Sequence, residues 1–155
     1  ALNFPLFINL KDKKVLIVGA GAIAARRATV LTEFGAEVMV VAPAAGDSVR
    51  ELAEAGRLVW KRHAFCEQDL EELNQFFLVI AATDDPAVND HIVQLCHERH
   101  IPVNHAGDQT QCDFQFPAIV RNDPVVIGVN AGGKDHGLVK RVAERLREWI
   151  AREKF

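Results

Sequence analysis

Lys14–Arg27 reads KVLIVGAGAIAARR. The apolar run from Val15 to Val18 has the character of a strand buried on both faces of a parallel sheet. Gly19, Gly21 and Ala24 follow at GxGxxA spacing, and an alanine-rich helical pattern continues from there. Gly19 suits a tight turn, Gly21 lets a pyrophosphate approach the backbone without a Cβ in the way, and Ala24 keeps helix and strand close. A bare glycine motif is weak evidence. Here a strand precedes it, a helix follows it, and a second strand at Glu37–Val41 completes the spacing of a βαβ unit.

Strands and helices alternate outward from that unit. The first helix carries Ala24, Ala28, Leu31 and Phe34 on one face and ends at Gly35, a left-handed cap position. Upstream, Phe4, Leu6, Phe7, Ile8 and Leu10 suit a short edge segment packed on the sheet. Downstream, Ser48-x-x-Glu51 has capping-box form for a second helix closed by Gly56. Leu58–Trp60 reads as a third strand, Asp69–Leu73 as a turn or two of helix, and Phe76–Ala82 as a buried fourth strand. Asp85 and Pro86 then start a helix to about Arg99, and Pro102–Asn104 is a short fifth strand. This order predicts an α/β, doubly wound parallel sheet of Rossmann type, with ligand sites beyond the carboxyl ends of the strands. The candidate cofactor positions are the glycine turn and helix start (Gly19, Gly21, Ala22, Ile23, Ala24) and the strand ends Ala42, Pro43, Thr83, Asp84 and Asn104. Ala42 stands where an acidic residue selecting NAD commonly sits, and no obvious phosphate-binding arginine follows the second strand.

From Phe114 the pattern changes. Ile119, an Arg121-Asn122-Asp123-Pro124 turn and alternating Val125, Ile127 and Val129 predict an antiparallel hairpin. After Gly132-Gly133, the residues Leu138, Val142, Leu146 and Trp149 mark an amphipathic helix. The predicted division is residues 1–113 as a dinucleotide-binding domain and 114–155 as a hairpin-plus-helix dimerisation and substrate arm. That arm is too small for a core of its own and predicts pairing with a second copy.

The whole chain has 155 residues, 49% of them hydrophobic, and a net charge of −3, which gives no global basis for binding nucleic acid or a membrane surface. No apolar run has the roughly 18–20 residues of a spanning helix. Cys66, Cys96 and Cys112 are odd in number and form no CxxC pair, which predicts a reduced, cytoplasmic protein.

The residues FPLFINLKDKKVLIVGAGAIAARRA, AEVMVVAP, VIAATDDPAVN, IPVN and FPAIVRNDPVVIGVNAGG together resemble the NAD-dependent precorrin-2 dehydrogenases of sirohaem synthesis, some of which are also sirohydrochlorin ferrochelatases. The resemblance covers nearly the whole chain. It implies NAD as cofactor, a tetrapyrrole substrate oxidised from precorrin-2 to sirohydrochlorin, and a homodimer built through the hairpin region. Two alternatives are a nucleotide- or tetrapyrrole-binding module without catalysis and a chelatase working without nucleotide. The family's aspartate beyond the fifth strand falls at Gly107, with Asp108 one residue later, and AGGKDHG replaces the family's hydroxyl-rich turn.

A dehydrogenase must pass a hydride to nicotinamide and a proton to a base, and must hold substrate carboxylates with cations. Asp108 is the first candidate base and His105 the second. Arg121, Lys134, His136 and Arg141 are candidate carboxylate contacts. Cys96, His97, His100 and His105 lack a matching second cluster, and no metal site is expected there.

Overall fold

The structure is a computed structural model and describes residues 2–71 and 76–155. The chain divides into two compact units, Ile8–Phe114 and a second made of Ala1–Phe7 with Gln115–Phe155. No helix among the described residues is long and apolar enough to cross a membrane.

The larger unit holds five parallel strands, β1 (Lys14–Val18), β2 (Glu37–Val41), β3 (Val59–Lys61), β4 (Phe76–Ala81) and β5 (Val103–His105), in the order β3-β2-β1-β4-β5. Four helices connect them: α1 (Ala22–Glu33), α2 (Asp47–Glu54), the short α3 (Gln68–Glu71) and α4 (Pro86–Glu98). The chain winds from β1 through β2 to β3, then returns to the far side of β1 as β4. The switch point of the sheet therefore lies between the exits of β1 and β4, where open α/β sheets bind ligands. Leu16, Val18, Val79, Ala81, Ile92, Cys96 and Val103 belong to a shared core under this region. Burial pushes the Cys96 thiol up to about 12, which makes it a packing residue.

Two expectations are corrected, and a third lies partly outside the described residues. Residues 2–10 form no strand, and Leu2, Phe4, Leu6 and Phe7 are exposed; Pro5 offers no N–H to a ladder. Helix α2 starts at Asp47 with Gly46 as N-cap and no side-chain cap, so the capping box at Ser48 does not form. The predicted helix Asp69–Leu73 is seen as Gln68–Glu71, and its later residues lie outside those described.

The smaller unit is an antiparallel hairpin, β6 (Ala118–Asn122) and β7 (Val125–Val129), packed on α5 (His136–Ile150). The helix face on the hairpin is Ala143, Leu146 and Ile150. Of the predicted stripe only Leu146 lies on it; Leu138 (42% exposed), Val142 and Trp149 (50% exposed) face outward. The four predicted positions follow one helical row, but the small Ala143 lets the helix approach the hairpin along a neighbouring row.

Candidate functional site

The turn after β1 is shaped by two glycines with different duties. Gly19 has φ +110, and a Cβ there would overlap the carbonyl oxygen of Ala82 at the exit of β4. Gly19 is therefore required by the protein's own packing. Gly21 has φ −71, which any residue adopts, and a Cβ built on it meets nothing within 4 Å. It is the N-cap of α1, with no side-chain cap and no acidic residue in the first turn. The first amides of α1, at Ala22 and Ile23, thus open onto space with the positive end of the helix dipole behind them. Ala24 is buried against the sheet.

Beside that turn lies a cleft of about 360 Å³ lined by Ile23, Ala82, Thr83, Pro86, Asn89, Asp90, His105, Ala106, Gly107, Asp108 and Gln111. Its β4 wall is braced by Asn89, which is 4% exposed. The Asn89 carbonyl oxygen accepts from the Thr83 amide (3.0 Å) and hydroxyl (2.7 Å), and its amide donates to the Thr83 carbonyl (3.1 Å). Asp85 caps α4 by accepting from the Ala87 amide at 2.9 Å. The ATDDPAVN stretch is in this way a loop whose fourth helical residue reaches back to hold its start. Asp84 is exposed in that loop.

On the β5 side, His105 is 4% exposed. Its Nδ1 receives the Gly107 amide at 3.1 Å, so the ring hydrogen sits on Nε2, which donates to Asp90 Oδ1 at 3.1 Å. Asp108 starts a 3₁₀ turn at Gln109–Gln111. Its Oδ1 accepts from the Thr110 amide (3.0 Å) and hydroxyl (2.6 Å), and its Oδ2 from Gln111 Nε2 (2.9 Å). The Thr110 hydroxyl and the Gln111 amide, with smaller help from the Thr110 N–H, hold the Asp108 carboxyl below the usual carboxylate range. The two candidate bases therefore share one cleft. Cys112 behind them donates to the His105 carbonyl at 3.3 Å, and desolvation pushes its thiol up.

The other cofactor candidates have different settings. Asn104 is 2% exposed and turned into the protein, accepting from Arg27 Nη1 at 2.6 Å and donating to the Phe114 carbonyl at 2.8 Å. Burial lowers the Arg27 pKa, yet its guanidinium still supplies a charge-assisted hydrogen bond across from α1 to β5. Ala42 is buried, its carbonyl accepting from the Trp60 indole at 3.0 Å, and Pro43 is exposed. The Arg62 guanidinium stacks 4.3 Å over the Trp60 ring. A cation thus reaches the end of β2 from β3, which spacing after β2 could not disclose. Asn89, Asp90 and Gln111 were likewise missed as cleft residues. The i+3 and i+4 spacing from Pro86 was the available signal for Asn89 and Asp90, and nothing flagged Gln111.

Four candidate substrate contacts lie in the smaller unit. Lys134, His136 and Arg141 are exposed around the start of α5, whose N-cap Asp135 accepts from the Leu138 amide at 2.8 Å. Arg121 pairs with Asp123 at 2.9 Å, and the adjoining Asn122 donates to Ile150 at the other end of α5. A 15-residue helix is about 22 Å long, so Arg121 is not gathered with the other three. The Cys96–His105 group also does not assemble: Cys96 is buried, His97 bonds Asp113 at 3.2 Å and His105 bonds Asp90.

A parallel sheet with its switch point at an uncapped helix start and a glycine turn defines a dinucleotide-binding protein of the Rossmann class. Residues 6–118 match the family model described as "Putative NAD(P)-binding". Among solved structures, "SirC, precorrin-2 dehydrogenase" superposes with a TM-score of 0.77 and 30% identity, over 94% of this chain and 70% of that one. The chain belongs to this family of NAD(P)-binding proteins, which includes the precorrin-2 dehydrogenase SirC. It is also 37% identical over 142 residues to siroheme synthase 1 of Serratia proteamaculans and 39% identical over 142 residues to siroheme synthase of Photorhabdus laumondii. Each match takes in 92% of this chain but only 29% and 30% of those longer proteins, respectively.

Proposed function

We propose that the chain oxidises precorrin-2 to sirohydrochlorin with NAD in siroheme synthesis, in the cytoplasm and as a homodimer. The observation that carries this reading is the open approach to Gly21, where a Cβ would meet nothing of the fold, beside a cleft lined by the Asp108 carboxylate. Similarity to SirC over 94% of the chain supports the substrate.

NAD supplies the hydride acceptor. The amides of Ala22 and Ile23 would hold its pyrophosphate, with Gly21 leaving room. Ala42 and Pro43 at the end of β2 would hold its adenosine portion, and Thr83, fixed by Asn89, would with Asp84 form the β4 wall of the site. Asn104 acts from behind by tying β5 to α1 through Arg27.

Loss of the hydride leaves a proton for the protein to remove. Asp108 Oδ2 accepts one hydrogen bond, from Gln111, and keeps lone-pair capacity toward the cleft. The hydrogen bonds from Thr110 and Gln111 lower its pKa and so favour the carboxylate form that accepts a proton. His105 has both ring nitrogens engaged and takes second place as base; with Asp90 it orients the Gly107–Asp108 loop. Lys134, His136 and Arg141, with Arg121 on a separate margin, hold peripheral carboxylates of the substrate. The outward face of Leu138, Val142 and Trp149 takes the second copy.

Anaerobic incubation with precorrin-2 and NAD tests the reading. NADH and sirohydrochlorin should appear together. Bound tetrapyrrole with no NADH would identify a binding module, and metal-dependent product from sirohydrochlorin without NAD would identify a chelatase. Parallel titration with NADP tests Arg62, whose charge lies near the end of β2.

A further inference from the structure

We propose that His63, Cys66 and Asp69 form a binding site for a borderline divalent cation of the zinc type. The three residues recur at three-residue intervals in HAFCEQD, on the segment that leaves β3 and enters α3. None of them lines the cleft beside Gly21.

One ligand atom from each side chain lies within 4.8 Å of the other two. His63 Nδ1 is 2.8 Å from the carbonyl oxygen of Ala64. A carbonyl only accepts, so the ring hydrogen is on Nδ1 and the lone pair of Nε2 is left for the cluster. Backbone carbonyls fix the tautomer of metal-binding imidazoles in this manner. That lone pair faces Asp69 Oδ1 at 3.5 Å, so two acceptors confront each other and call for a cation or a proton between them. Cys66 Sγ lies 3.5 Å from Asp69 Oδ2. Asp69 is 2% exposed and anchored by the Cys66 amide, which donates to Oδ2 at 2.9 Å.

The two 3.5 Å separations, one to each oxygen of the Asp69 carboxylate, have the size of a tetrahedral edge, and one ligand atom from each residue lies within 4.8 Å of the others. With bonds of about 2.0–2.3 Å to nitrogen, oxygen and sulfur, tetrahedral edges come to about 3.3–3.6 Å. The donor set also selects the ion: thiolate and imidazole favour zinc, cobalt(II) or nickel(II) over magnesium and calcium. His63 and Cys66 are exposed, so a fourth position is open to water. The ion would bridge the end of β3 to α3, joining a surface loop to a buried carboxylate.

Cobalt(II) is the probe, titrated into the metal-free full chain. A thiolate-to-cobalt charge-transfer absorption should rise to one equivalent and disappear when zinc is added. Cys66→Ser should abolish it, His63→Ala should weaken cobalt affinity at least tenfold, and Cys112→Ser should leave it intact. Zinc should raise the melting temperature of the parent chain and not that of Cys66→Ser. Both test side chains, His63 and Cys66, are exposed, and the Cys66 amide that anchors Asp69 is kept in each variant, so unchanged far-ultraviolet circular dichroism is expected. Absence of the band, its survival in Cys66→Ser, or unchanged affinity in His63→Ala overturns the site.

Discussion

Gly19 and Gly21 look alike in the motif and differ in what they require. Gly19→Ala forces a Cβ onto the Ala82 carbonyl at a left-handed φ, and should cost about 2–4 kcal/mol in chemical denaturation. Gly21→Ala meets nothing and should leave stability within about 0.5 kcal/mol while weakening NAD binding by calorimetry; Gly21→Asp should abolish it. A second residue-scale prediction concerns Asp108. Because its pKa is lowered, it stays ionised until pH falls below the ordinary carboxylate value of about 3.9. Turnover should therefore show no acid limb from pH 8 down to 5, and Asp108→Asn should lower kcat with NAD affinity unchanged. Loss of turnover in His105→Gln with turnover kept in Asp108→Asn moves the proton to the histidine.

At the scale of elements, α4 anchors the loop that precedes it. Asn89 satisfies the Thr83 amide, hydroxyl and carbonyl from inside the helix. Asn89→Ala strands those groups and should cost about 1–3 kcal/mol, with a fall in nucleotide affinity in the same titration. The elements most legible from residues alone were those whose signals are local. Four apolar residues before a glycine gave β1, and Asp85-Pro86 gave the start of α4. Ser48 failed because a capping box is only an option for the chain; Gly46 already takes the N-cap position of α2, one residue before Asp47. The face of α5 was misassigned by one row because the small Ala143, not the larger Val142, sets the close approach. The bonds of His105 to Asp90 and of Trp60 to Ala42 join residues 15 and 18 apart, and no periodicity reports such pairs.

At the scale of the molecule, the smaller unit leaves Leu138, Val142 and Trp149 uncovered, and this is where a second copy should bind. The pair Leu138→Glu and Val142→Glu should convert a dimer into a monomer in sedimentation equilibrium. Since Ala143, Leu146 and Ile150 supply the contact with the hairpin, far-ultraviolet circular dichroism should not change. A monomeric parent chain would remove the outward face from the assembly.

The uncapped start of α1 also gives the molecule a fingerprint in hydrogen–deuterium exchange. Loop amides are ordinarily quick to exchange, yet those of Thr83 and Gly107 donate to the buried side chains of Asn89 and His105 and should be slow. Ala22 and Ile23 should be the reverse: helical by position, labelled within the first time points, and silent once NAD is added. Two loops that hold their hydrogens and a helix that surrenders them until it is occupied would mark where the chain ends and its ligand begins.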